Sequence, residues 1–284
     1  MNSQIVGTCN ISLPEAELSE ILSFEDENRQ YSEFHYGDWK TFAIWNQSGL
    51  DDDGAVLDQG LPAKVTKRGK SLRVLNDWIA ETFDTSRLKL VRIHSLGDGV
   101  LIPHRDFVEF EGGVRPWTRV HVPLMTNDQC LHSEEETVFR MRAGEVWFLD
   151  ASNLHSATNF SVQRRLNLCL DFDLDGLDSQ SVFNNASCNE APLPLPEIVQ
   201  RPPLDDQFEK TFQEQARELN RYNFRDMLGW LAKIHFRKSV HIATFFQWMV
   251  AVCEASGDAS LHEKALRYSK FLQHERQMGE RFVL

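Results

Sequence analysis

Long apolar runs are missing from this chain: nowhere do about 18 apolar residues follow one another, the length a membrane helix needs. The opening stretch MNSQIVGTCNISLPEAEL has no basic start followed by an apolar core, so no secretory signal is expected. Paired cysteine motifs are missing too. Cys9, Cys130, Cys169, Cys188 and Cys253 are scattered, odd in number and without C-x-x-C spacing. That argues against a disulfide framework and against a cysteine zinc site. A reducing cytoplasm is the expected compartment. Basic charge is also short, with 30 Lys and Arg against 42 Asp and Glu and a formal net charge of -12. A nucleic-acid partner needs a basic surface to meet phosphate, so none is expected, and no membrane partner either.

What is present is ordinary globular material: 284 residues, 42% hydrophobic and 25% charged, enough for one large domain or one with a smaller companion. PEAELSEILSF reads as a helix with Pro14 at its first position. SLRVLNDWIAETF places Leu72, Leu75, Trp78, Ile79 and Phe83 on one helical face. WKTFAIWNQSG reads as a strand ending in a turn. From RLKLVRIHS to RLNLCLDFDL the chain becomes a series of short β-rich runs divided by glycine and polar clusters, the pattern of a jelly-roll. Within it, SEEET reads as a solvated acidic turn, and Asp171 and Asp173 as strand-end residues. APLPLPEIVQRPP reads as a linker or a strap laid on the surface. Four helical stretches follow. The third, HIATFFQWMVAVCEAS, is apolar nearly all round and is expected at the buried centre of a small bundle. The fold class is therefore α+β: a jelly-roll domain over residues 1–180 with N-terminal α/β elements, a proline-rich linker over 181–203, and a helical domain over 204–284.

The stretch LIPHRDFVEF carries the first chemistry. On a strand, residues two apart point to one side, so His104 and Asp106 leave the same face together. Alone, such a pair is most often structural. His155, far downstream in DASNLHSATNF, changes the odds. Two histidines and a carboxylate cap one face of an octahedron and leave the other positions open, as non-haem Fe(II) requires. Zinc would tolerate the same donors. Arg165, in RRLNLCLDF, opens an apolar strand. A buried guanidinium there would pair bidentately with the far carboxylate of a keto-diacid such as 2-oxoglutarate. Pattern alone leaves open whether Arg164 or Arg165 points inward. Arg119 and His121 share a strand face, so both line the interior if either does.

The segments IPHRDFVE, GEVWFLDA, HSATNFS and NFRDMLGWLAKIHF resemble the bacterial proline cis-3-hydroxylases, within the aspartyl/asparaginyl β-hydroxylase-like branch of Fe(II)/2-oxoglutarate dioxygenases. The resemblance runs from DWKTFAIWNQSG to the closing ERF. It implies a double-stranded β-helix (cupin-like) core, Fe(2+) held by His104, Asp106 and His155, and 2-oxoglutarate held by Arg165. It places Arg119 and His132 near the same pocket. It also implies dioxygen as co-substrate, with ascorbate as an accessory reductant, and a free L-amino acid as substrate, L-proline first, hydroxylated at C3. The family favours an arginine pair before the iron motif, where this chain has Arg92 and then His94. That departure, together with Trp117 in FEGGVRPWTR, marks Arg92, His94 and Trp117 as candidate substrate residues. Other free, N-modified or carrier-bound amino acids remain alternatives, as do a protein side-chain hydroxylase and a non-catalytic binding module. The oligomeric state is open, a homodimer among the options.

Overall fold

Strand alternation decides how the β-rich runs pack. In β10 (Arg165–Phe172) Leu166, Leu168 and Leu170 join an apolar core, while Arg165, Asn167 and Asp171 are buried as well, on the opposite side. Such a strand needs apolar cover on one face and a polar enclosure on the other. The computed structural model, which describes residues 1–25, 31–107, 117–184, 188, 192–277 and 279–284, supplies both.

The strands are β1 (Gln4–Thr8), β2 (His35–Asn46), β3 (Lys64–Val65), β4 (Leu88–Leu101), β5 (Thr118–Met125), β6 (Cys130–Glu134), β7 (Thr137–Arg140), β8 (Glu145–Phe148), β9 (His155–Asn159), β10 and β11 (Glu197–Ile198). They pair in the order β1-β8-β5-β10-β4-β9-β6-β7-β11, with β2 added beside β4 and β3 beside β2. All these pairings are antiparallel. β4 is the corner. Most of its length pairs with β10 and β2, and its last residues, Gly99 and Val100, pair with β9. The order therefore rolls from one sheet into a second one, and a bridge between His104 and His155 draws their ends together. This is the expected α+β, double-stranded β-helix architecture.

Helix α1 (Glu15–Ser23) and helix α2 (Arg73–Thr82) cover the outer face of the larger sheet. Leu72, Leu75, Ile79 and Phe83 are fully buried there, as their helical spacing predicts, with Trp78 partly buried beside them. Glu17 ties the two helices by accepting from the backbone N–H groups of Val74 and Leu75. After β10 the chain crosses the surface. Phe183 stacks on Phe83 with centroids 5.6 Å apart, β11 pairs with β7, and Arg201 donates to the carbonyls of Glu136, His235 and Lys238.

Helices α3 (Asp206–Glu218), α4 (Phe224–Arg237), α5 (Thr244–Ala255) and α6 (Ala259–Gln273) follow. Asp205 and Asp258 cap α3 and α6 through their carboxylates. The helices share one apolar core with Phe34, Val100, Ile102, Leu131, Val138 and Leu154 of the β-rich part. α5 touches the other three helices, as expected of the bundle's centre, but α4 is buried more completely. Gln247, Ala251 and Glu254 of α5 face solvent, whereas α4 buries both the side toward α5 and the side toward β2 and β4. SEEET also departs from expectation: Ser133 and Glu134 are buried at the end of β6, and Glu134 accepts from the backbone N–H of Ser3 and from Asn153. Among the described residues no helix is long and apolar enough to cross a membrane.

Candidate active site

The inner face of the barrel encloses a cavity of about 110 Å³, lined by side chains from β2, β4, β5, β6, β9 and β10. His104 follows β4 and His155 opens β9, and their rings lie 4.4 Å apart. The ligand atoms of His104, Asp106 and His155 all fall within 4.8 Å of one another. Their tautomers are set by the backbone. His104 Nδ1 lies 2.7 Å from the Ile102 carbonyl and His155 Nδ1 lies 3.0 Å from that of Asn153. A carbonyl only accepts, so each Nδ1 carries the proton and each Nε2 presents a lone pair. Burial is the main force holding His104 neutral, down to a pKa of about 3. Burial would raise the Asp106 pKa. Arg119, His155, His104 and Arg276 overrule it and hold the carboxyl well below its usual range. Arg119 donates to Asp106 Oδ2, leaving Oδ1 on the side of His104 Nε2, 3.6 Å away. Two neutral imidazole lone pairs and one oriented carboxylate are the donor set a facial ferrous site needs, and the residues present fit that metal.

A second cluster shares the cavity. Ligand atoms of His94, His121 and Cys169 also lie within 4.8 Å of one another. Its surroundings are cationic. Burial comes first, and then Arg92, Arg119 and Arg165 push His94 and His121 well below the usual histidine range. A second cation there would face three guanidinium groups, so this cluster forms wall rather than metal site. Asn167 lies 2.7 Å from His121 Nδ1, and the Nε2 atoms of His94, His121 and His132 are buried without hydrogen-bond partners among the described residues.

Among the described residues four arginines line this cavity, and two are tied to a carboxylate that local sequence reading put at a strand end. Asp171 is fully buried within β10 and receives Arg92 Nη2 at 3.1 Å and Arg119 Nε at 2.7 Å. Arg165 lines the cavity with no carboxylate within ion-pair distance among the described residues, and burial lowers its pKa to about 10. Arg164, its neighbour, points the other way to Asp38 and Ser95. The cavity thus gathers His104, Asp106, His155, Arg165, Arg119, His132, Arg92 and His94. Trp117 stands off it. It is the next residue on the inward face before Arg119, and packs with Ala43 and Leu90 in a small apolar cluster. Residues 110–116 of FEGGVRPWTR lie outside the described residues. The cavity also recruits Tyr31, Phe34, Trp39 and Arg276, which have no local motif and are brought in only by the fold.

Fold and cluster together define a class: a jelly-roll oxygenase with a two-histidine, one-carboxylate pocket. The family model of aspartyl/asparaginyl β-hydroxylases matches residues 12–174, and that of the L-proline 3-hydroxylase C-terminal region matches residues 179–280. L-proline cis-3-hydroxylase 1 of Streptomyces sp is 36% identical over 290 residues, spanning 100% of this chain and 99% of its own. L-proline cis-3-hydroxylase 2 of Streptomyces sp is 33% identical, with the same coverage. L-proline cis-4-hydroxylase of Rhizobium meliloti (strain 1021) is 31% identical over 99% of both chains. The chain belongs to the aspartyl/asparaginyl β-hydroxylase family. It is a 2-oxoglutarate-dependent dioxygenase, and its reaction draws on Fe(2+), 2-oxoglutarate and dioxygen.

Proposed function

We propose that the chain hydroxylates an unactivated C–H bond of a free L-amino acid, L-proline at C3, and releases succinate and CO2. One observation carries the reading: a two-histidine, one-carboxylate cluster and an arginine that has no acidic partner among the described residues face the same small cavity. His104 Nε2, His155 Nε2 and Asp106 Oδ1 would hold the ferrous ion. When bound, the ion supplies dioxygen activation coupled to oxidative decarboxylation of 2-oxoglutarate.

The remaining work belongs to the chain. Arg165 takes the far carboxylate of 2-oxoglutarate, because a buried guanidinium without an anion is costly and a bidentate partner relieves it. His132 lines the same cavity with a buried Nε2 that would hydrogen-bond a bound co-substrate. Arg119 fixes Asp106 through Oδ2 and is itself fixed by Asp171. Five unbridged cysteines support a cytoplasmic setting.

The test is product identification. The protein is incubated with Fe(II), 2-oxoglutarate, ascorbate, air and a mixed amino-acid pool, and products are assigned by mass spectrometry and NMR. The expected result is 3-hydroxyproline with equimolar succinate. Hydroxylation of another amino acid would replace proline in this reading. Succinate formation that no amino acid stimulates would refute it.

A further inference from the structure

Two aromatic walls of the cavity sit on one short turn, and much of what holds that turn comes from the helical domain. Tyr31 precedes and Phe34 ends the 3-10 turn Ser32–Phe34, just ahead of β2, and both line the cavity. The Phe34 ring lies 5.0 Å from that of His104, and Tyr31 stands edge-on to Trp39 at 6.1 Å. Tyr31 has a φ of 63°, in the left-handed region that a non-glycine residue keeps only where its surroundings enforce it. Arg225 of α4 donates through Nη2 to the carbonyls of Ser32, at 3.1 Å, and His35, at 3.2 Å. Tyr268 of α6 donates its hydroxyl to the Glu33 carbonyl. On the barrel side the Ile102 N–H donates to the Phe34 carbonyl at 2.8 Å.

Glu33 stands between these two walls, yet its own side chain points away from the cavity. It lines a neighbouring cleft instead and is only 1% exposed. Its carboxylate accepts from Arg281 Nε at 2.6 Å and Nη2 at 2.7 Å, a bidentate pair. Arg281 lies beyond α6, with its side chain half exposed. Phe282 beside it packs on Tyr268 and Phe271, with centroids 4.9 and 5.4 Å away. A buried carboxylate deprived of its cation must turn out to water or take up a proton. Turning Glu33 outward would drag the turn with it, and so displace Tyr31 and Phe34.

We propose that Arg281 and Glu33 are positioning residues for the amino-acid substrate. Their ion pair fixes the turn that sets Phe34 against His104 and Tyr31 beside Trp39, so the segment after α6 governs how the substrate seats without touching it. This rests on the function proposed above and deepens it, since it gives the helical domain a part in substrate binding.

The test is a double-mutant cycle. Binding of L-proline and of 2-oxoglutarate is measured by calorimetry under anaerobic conditions on Mn(II)-loaded protein, the proline titrations with 2-oxoglutarate present. Wild type, Arg281→Gln, Glu33→Gln and the double variant are compared, with melting temperatures alongside. Arg281→Gln strands the buried charge and is expected to weaken proline about tenfold, while 2-oxoglutarate, taken by Arg165 on β10, stays within about twofold. Glu33→Gln leaves a half-exposed cation that water can serve, and is expected to weaken proline about threefold. The double variant, with two neutral amides, is expected to bind proline better than Arg281→Gln alone. Equal losses for both ligands, or a lower melting temperature with proline affinity unchanged, would make the pair a matter of stability only and overturn the assignment. A loss in Arg281→Gln that adding Glu33→Gln does not relieve would trace it to another contact of Arg281 and overturn it too. If Arg281→Gln does not fold, Glu33→Gln decides: proline affinity equal to wild type overturns the proposal. Wild-type protein that binds 2-oxoglutarate but not proline refutes the substrate reading on which it rests.

Discussion

Burying the whole of Asp171 is tolerable because two guanidinium groups meet it, and it in turn steadies Arg119 against Asp106. Asp171→Asn keeps the shape and removes the charge. Two buried cations then lose their shared partner, so stability is expected to fall by about 3–5 kcal/mol in denaturant titration. Metal affinity should fall with it, because Arg119 is no longer held. Arg165 works in the opposite sense. It is a buried cation with no acid in ion-pair range among the described residues, and the proposed function gives it 2-oxoglutarate as its anion. Arg165→Ala is expected to raise the Michaelis constant for 2-oxoglutarate at least a hundredfold while leaving the melting temperature of the ligand-free protein equal or higher. An unchanged Michaelis constant would remove Arg165 from the co-substrate site. The two residues also differ in legibility. His104 and Asp106 become legible once His155 joins them, while strand pattern narrows the arginine only to Arg164 or Arg165. Asp171 in LDFDLDG looks like a strand-end acid beside Asp173. Its one signal is parity, since Arg165, Asn167, Cys169 and Asp171 alternate onto the inner face of β10.

At the scale of elements, the contact between α4 and β2 depends on a missing side chain. A Cβ at Gly229 would lie 2.2 Å from Cδ1 and 2.3 Å from Cγ of Tyr36, whose hydroxyl donates to Asp226 on the same helix. Helix propensity favours Gly229→Ala by about 1 kcal/mol. The collision is with the base of the ring, so overpacking of about 1–3 kcal/mol should win. Gly229→Ala is expected to lower the melting temperature, and a rise would mean that Tyr36 swings clear at no cost. The same helix shows why the burial order of the bundle was not legible. Apolar content singles out α5, which does touch the other three helices but leaves one edge in water. α4 carries more polar residues, among them His235, yet is wedged between bundle and barrel, and nothing local records that it has two partners. The strands fared better, because alternation is a local property. SEEET failed because Glu134 is satisfied by Ser3 and Asn153, both distant in sequence.

Across the whole molecule, five histidines are buried in the neutral form. Burial is the main cause in each: it pushes His94, His121 and His132 well below the usual range, and His104 and His235 to about 3. In the unfolded chain the same groups titrate near 6.5. Below that pH the unfolded state binds more protons than the folded one, so stability is complete above about 6.5 and is lost as pH falls toward the depressed values. Between pH 6.5 and 5.5 each neutral histidine forfeits about 1 kcal/mol, and five together would remove a large part of the roughly 5–15 kcal/mol margin of a typical domain. Most carboxylates titrate lower, so this early loss belongs to the histidines. Denaturant unfolding of the metal-free protein at pH 7.5, 6.5 and 5.5 is expected to show a fall of about 2 kcal/mol over the first step and a steeper one, about 5 kcal/mol, over the second. His235, with its ring against the Val240 carbonyl and far from the barrel cavity, provides the control: His235→Gln should reduce the fall by about one histidine's share. A stability that stays level down to pH 5.5 would mean that these rings are hydrated or already charged. The cavity could not then be the dry enclosure with neutral imidazoles on which its reading as an oxygenase pocket depends.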